Sequence, residues 1–197
     1  MSSPDSNRLP LRKTRRTWNE PGHAHFLTYS TYRRLPMLRA ARLCDWALQS
    51  LGSLRDKQNV ALWAYMIMPE HVHVLLCPRD AKYEMRHILT AIKKPVARAA
   101  HQHLIDTNQT DWLAKLHAKV GKRRVFRFWQ PGGGFDHNVF RDRSVPAIME
   151  YIHANPVRRE LCKIPEDWAW SSARFWAGRA DFHLQMDRPN DKMGGPS

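Results

Sequence analysis

Ala64-Tyr65-Met66-Ile67-Met68-Pro69-Glu70-His71-Val72-His73-Val74-Leu75-Leu76-Cys77 decides the fold. It holds two apolar runs joined by Pro69-Glu70, a connection short enough to make them antiparallel neighbours. In a strand, residues two apart point to one face. His71 and His73 therefore project side by side, with Val72 and Val74 on the face behind them. Two imidazoles aimed at one point make half of a metal site.

A single histidine on a half-buried strand is ordinarily just a polar residue. An otherwise apolar strand has little reason to hold two of them on one face, because burying unpartnered polar groups costs a few kcal/mol each. A histidine-triad hydrolase would need a third His at the position of Leu75. A two-histidine phosphoesterase would need a second His-x-Thr/Ser element, and none is present. His-hydrophobic-His is left, the metal-binding signature of the HUH nucleases.

Working outward, His25 to Tyr32 has strand composition and precedes a helix from about Arg39 to Lys57, with Leu43, Trp46, Ala47, Leu51 and Leu54 at helical steps. Gly52 should weaken that helix locally. Val60 to Ile67 and His71 to Cys77 form the hairpin. A second helix begins near Lys82, with Met85, Ile88, Leu89 and Ile92 on one side; Pro95 should kink or interrupt it, with Val96 to Ile105 continuing helical. Residues 106–124 read as a basic surface excursion with one helical turn around Trp112 and Leu116. Val125 to Trp129 reads as the last strand and Phe135 to Asn138 as a turn. A short helix from Arg143 to Ala154 ends at Asn155-Pro156, where Asn155 can cap a further short helix.

Strand, helix, strand, strand, helix, strand and a final helix is an α+β order. It predicts a ferredoxin-like βαββαβ antiparallel sheet with helices on one face and an added C-terminal catalytic helix. The domain occupies residues 21–176. Residues 1–20 read as a flexible basic arm and residues 177–197 as a flexible tail.

The 197 residues suit one domain with a real core. A formal net charge of +14 implies a polyanionic partner, nucleic acid first. Eight Trp argue against a simple charge-coated binder. Cys44, Cys77 and Cys162 form no Cys-x-x-Cys pair, which argues against a zinc knuckle, implies no disulfide framework and fits a reducing cytoplasm. No apolar run is long enough for a membrane span. Candidate phosphate contacts are Arg12, Lys13, Arg15 and Arg16 in the arm, Arg86, Lys93, Lys94 and Arg98 on the second helix, and Lys122, Arg123 and Arg124 beyond it.

A metal beside a DNA phosphate still needs a nucleophile. Tyr151 lies on the last helix, and Asn155 follows one turn later on the same face. A phenol and an amide oxygen would arrive together.

Four blocks in this order resemble the REP-associated tyrosine transposases, domesticated relatives of the single-tyrosine HUH transposases. They are Met68 to Leu76; Trp129-Gln130 followed by Asp136-His137; Tyr151 to Val157; and Pro165 to Ser172. The resemblance covers roughly residues 20–176. Glu70 stands where that family commonly has Asn, and residues 106–124 are longer than its minimum. The resemblance implies His71, His73 and Asn155 as ligands of Mg²⁺ or Mn²⁺ and Tyr151 as nucleophile. It implies a metal-dependent endonuclease and strand transferase acting on single-stranded DNA with a palindromic hairpin, through a 5′-phosphotyrosine. A bacterial cytoplasmic, nucleoid-associated location and a monomer or homodimer are expected with it. Two other readings stand beside it: a hairpin-DNA binding protein on the same fold without cleavage, and an RNA-binding ferredoxin-like domain.

Overall fold

The structure, a computed structural model, describes residues 19–139 and 144–189. Arg12, Lys13, Arg15 and Arg16 lie outside the described residues.

A four-stranded antiparallel sheet carries the molecule, in the order β2-β3-β1-β6. Its strands are β1 (Ala24–Ser30), β2 (Val60–Met68), β3 (His71–Pro78) and β6 (Phe135–Val139). This is the order that βαββαβ connectivity demands. The hairpin register aligns Met68 with His71 and Met66 with His73, while β1 aligns Thr28 with His73 and Ser30 with His71.

Helices α1 (Ala41–Lys57) and α2 (Met85–Asp106) cover one face. Their inward residues, Leu43, Ala47, Leu51 and Leu54 on α1 and Met85, Ile88, Ile92, Val96 and Ala100 on α2, recur at helical spacing. They pack on Leu27, Tyr29, Val72, Val74 and Leu76. The two valines behind the histidines are thus in this core. On the other face a smaller core joins Ala64, Met66, Met68 and Leu75 to Val145 and Ile152 of α4 (Val145–His153). The His pair and the last long helix share that second face.

Three expectations about the elements up to Arg158 are corrected. Val96 to Ile105 continue helical as expected, but Pro95 does not interrupt α2, which runs unbroken for 22 residues. Proline at 95 deprives the Ala91 carbonyl of its helical partner. The Ser50 hydroxyl on α1 donates instead to Ala91 O at 3.3 Å and to Ile92 O at 2.7 Å. Second, Val125 to Trp129 is not the sheet's last strand. Within residues 106–124 lies α3 (Thr110–Leu116), and β4 (His117–Val120) pairs with β5 (Arg123–Phe126) in a separate hairpin. The fourth sheet strand is β6, read from sequence as a turn. Third, Asn155 does not cap α5 (Asn155–Arg158). It is the first residue of that helix, preceded by Ala154, with its side chain turned back onto α4.

Beyond α6 (Ala173–Trp176) the chain docks rather than frays as far as Asp187. Leu184 reaches Gly52, where an added Cβ would stand 3.3 Å from the leucine methyl, and Met186 is buried. The Asp187 carboxylate accepts hydrogen bonds from Arg55, Arg79 and the Leu62 amide. Residues 168–187 line the outer edge of β2. Ile67 N bonds Trp170 O, Tyr65 N and O bond Ser172, the Trp176 indole bonds Trp63 O, and Leu62 O accepts from Asp187 N.

Candidate active site

β3 brings His71 and His73 to the α4 face, where both are largely buried. Their Nε2 atoms stand 3.0 Å apart. Each Nδ1 is engaged on the far side of its ring, His71 with Glu70 Oε1 at 3.1 Å and His73 with Thr28 Oγ1 at 2.7 Å. Both rings therefore converge through the nitrogen that is not held from behind. Burial is the first cause holding both histidines below their ordinary range. His73, which also faces the charges of His71 and Arg158, falls to about 3. At neutral pH these are neutral donors. Burial alone would raise Glu70, but the hydrogen bond from Arg159 and the charges of His71 and Arg159 hold its carboxyl below the usual range.

α4 supplies the rest. The Tyr151 ring lies 6.0 Å from the His73 ring and 5.9 Å from Phe26, centroid to centroid, and is 47% exposed. Its hydroxyl-bearing side chain is thus open to a ligand while its ring is packed. The Arg158 guanidinium sits 4.4 Å over the ring and donates to Tyr151 O at 2.7 Å. Asn155 donates from Nδ2 to Tyr151 O at 2.9 Å, which leaves its amide oxygen for His73, an interaction that favours the protonated ring. Phe26 stacks on His73 at 5.6 Å and 29°. Gly134 fixes the neighbouring end of β6: its φ is +75°, and a Cβ there would stand 2.2 Å from Thr28 O.

The donor set fits a divalent cation. Ligands about 2.1 Å from an ion and at right angles would be ~3.0 Å apart, the spacing of the two Nε2 atoms. Two imidazoles and one amide oxygen would hold it. Among the described residues no cluster of three His, Cys, Asp or Glu side chains is arranged for a metal.

His71, His73, Tyr151 and Asn155, chosen from sequence, therefore come together within one chain. The basic candidates do not join them. Arg86, Lys93, Lys94 and Arg98 are on α2, across the sheet, and Lys122, Arg123 and Arg124 are at the tip of the β4–β5 hairpin. Arg86 pairs with Glu84. Lys93 bonds Gly132 O at 3.1 Å and lies over Tyr29, and burial lowers its pKa. Sequence reasoning missed Phe26, Thr28, Arg158 and Arg159. The signal for the last two was a pair of cations directly after Asn155-Pro156-Val157. Phe26 and Thr28 depended on a strand register that the sequence leaves open.

No protein-family model matches the chain. A Haemophilus influenzae protein carrying the provisional name REP-associated tyrosine transposase is 23% identical over 140 residues, which span 63% of this chain and 70% of that protein. A solved structure described as a REP-associated tyrosine transposase bound to a REP hairpin aligns with a TM-score of 0.59 at 19% identity, covering 95% of this chain and 98% of that one. The two comparisons bear out the resemblance read from the sequence, and the second bears out the fold.

Proposed function

We propose that this chain is a metal-dependent single-stranded DNA endonuclease and strand transferase that cleaves and rejoins palindromic-repeat hairpin DNA through a 5′-phosphotyrosine. The observation that carries this reading is the convergence of Tyr151, His73 and Asn155 of one chain beside His71. The hairpin bound by the structural relative supports the substrate class.

In this mechanism the Tyr151 phenolic oxygen forms a bond to phosphorus. The bond from phosphorus to the 3′ oxygen breaks, and that oxygen leaves as a free 3′-OH after taking up a proton. The phenolic proton passes to solvent. Mg²⁺ or Mn²⁺, held by His71, His73 and Asn155, would supply positive charge for a non-bridging phosphate oxygen. Arg158 keeps the tyrosine ring oriented from its face and its backbone, and Phe26 packs against the ring's edge. The phosphoryl link retained on Tyr151 lets the 3′-OH of another strand reverse the step and rejoin DNA. Because nucleophile and histidines belong to one chain, a monomer suffices for cleavage. A bacterial cytoplasmic, nucleoid-associated location is part of the same proposal, since that is where the DNA substrate would be met. Among the described residues no helix is long and apolar enough to cross a membrane.

The test is covalent trapping. Labelled hairpin DNA from the genome's own repeats is incubated with the protein and Mn²⁺, or with EDTA. A denaturant-resistant adduct should form only with Mn²⁺ and vanish in Tyr151→Phe. Tight hairpin binding with no adduct in Mn²⁺, nor in a parallel reaction with Mg²⁺, would overturn cleavage and leave a hairpin-binding protein.

A further inference from the structure

Among the described residues Glu70 is the carboxylate bonded to the His pair, and it is tightly held. Its side chain is 10% exposed, Arg159 ion-pairs with its Oε1, and Arg34 lies 3.4 Å from the same atom. An ionised carboxylate can only accept hydrogen bonds. The proton between it and His71 must therefore sit on Nδ1, so His71 Nε2 always presents a lone pair.

His73 is held differently. Its Nδ1 faces the Thr28 hydroxyl at 2.7 Å, a group that can donate or accept. Two lone pairs 3.0 Å apart would repel, so with no cation between the rings His73 must donate Nε2–H to His71. Its bare Nδ1 then accepts from Thr28. A cation at the shared point needs lone pairs from both rings. The His73 proton would then move by way of solvent from Nε2 to Nδ1, with Thr28 turning from donor to acceptor. The ring holds one proton throughout.

We propose that Glu70, clamped by Arg159, is a positioning residue that commits His71 to the Nδ1–H tautomer, while Thr28 leaves His73 free to exchange tautomers when a divalent cation arrives. The pair is asymmetric: His71 is the preset ligand and His73 the adjustable one. This rests on reading the site as a cation site, and it concerns a position where the resembling family commonly has Asn. An amide at 70 can donate as readily as accept and would not commit His71 to one tautomer.

The test is ¹⁵N NMR of the histidine rings in the full chain, metal-free and with Mg²⁺, together with Mn²⁺ titration by calorimetry. In the metal-free protein His71 should carry its proton on Nδ1 and His73 on Nε2. Mg²⁺ should move only the His73 proton. Glu70→Gln should mix the His71 tautomers and weaken Mn²⁺ roughly 10- to 100-fold, the range seen when a partner behind a ligating histidine is lost. Thr28→Val should weaken Mn²⁺ while leaving His71 unchanged. A purely structural role for Glu70 would lower the melting temperature without moving the tautomer. The proposal fails if His73 is already Nδ1–H without metal, if Mg²⁺ moves neither proton, or if Glu70→Gln leaves both the His71 tautomer and Mn²⁺ affinity unchanged. The wild-type spectra need no variant to fold. An absent DNA adduct alongside these tautomers would overturn cleavage and leave this inference intact.

Discussion

At the scale of single residues, the site rests on groups with little freedom to change. His153, two residues after Tyr151, points away from the site to Ser172 Oγ at 2.8 Å, and burial lowers its pKa to about 4. Between that value and the unfolded value near 6.5, the unfolded chain holds more protons than the folded one, so folding strengthens as pH rises. The contribution is complete above about pH 6.5 and is lost as pH falls towards 4, on the order of 3 kcal/mol at most. His153→Gln should flatten the acid side of a plot of urea midpoint against pH. Parallel curves for the two proteins would refute this. Gly134→Ala is a separate case: its Cβ would collide with backbone, so a loss of roughly 2 kcal/mol or more is expected in urea denaturation. Periodicity put His71 beside His73 on one strand face and Tyr151 above Asn155 on one helix face, and the family resemblance singled these four out as site residues. Thr28 was not, because its role comes from pairing across 45 residues of sequence.

At the scale of elements, a proline is tolerated in mid-helix because the neighbouring helix compensates for it. Ser50→Ala should cost about 1 kcal/mol, because the hydroxyl proton shared between Ile92 O and the part-buried Ala91 O is lost. Pro95→Ala restores an amide to Ala91 O. In that background the Ser50→Ala loss should shrink to a few tenths of a kcal/mol, as a double-mutant cycle in urea would measure. Additive losses would mean that the hydroxyl does not replace the missing bond. The hairpin, both long helices and the strand order were readable because their apolar residues follow the period of the element. β6 was not. It is an edge strand whose inward residues are polar: Asp136 bonds the buried His25 at 2.9 Å, and Asn138 is itself buried. Phe126, Phe128 and Trp129 gave the neighbouring stretch a better strand pattern. They pack at the margin of the helix-side core instead, with the Trp129 indole bonded to Lys93 O.

At the scale of the whole molecule, the basic residues of α2 and the β4–β5 hairpin lie away from the site, while Arg34, Arg158 and Arg159 lie beside it. The net charge of +14 should make hairpin-DNA affinity fall steeply with salt. Lys94→Ala combined with Arg98→Ala should make the log–log salt slope shallower by about 1 to 2, since each phosphate contact contributes roughly 0.7 to 0.9. Adduct formation at saturating DNA should be unchanged. An unaltered slope would exclude this face of α2 from DNA contact.

The docked stretch after α6 has a consequence for how the protein is made. β2 is complete once Met68 has been synthesised, but the groups that occupy its outer edge are not all present until Asp187. At about 5–20 residues per second, that edge waits for roughly 6 to 24 s on the ribosome. During this interval it offers unpaired amides and carbonyls to any other chain nearby. The segment that closes this edge of the sheet is therefore made long after the edge itself, and a ribosome that stalls before it would leave a nascent chain primed to aggregate.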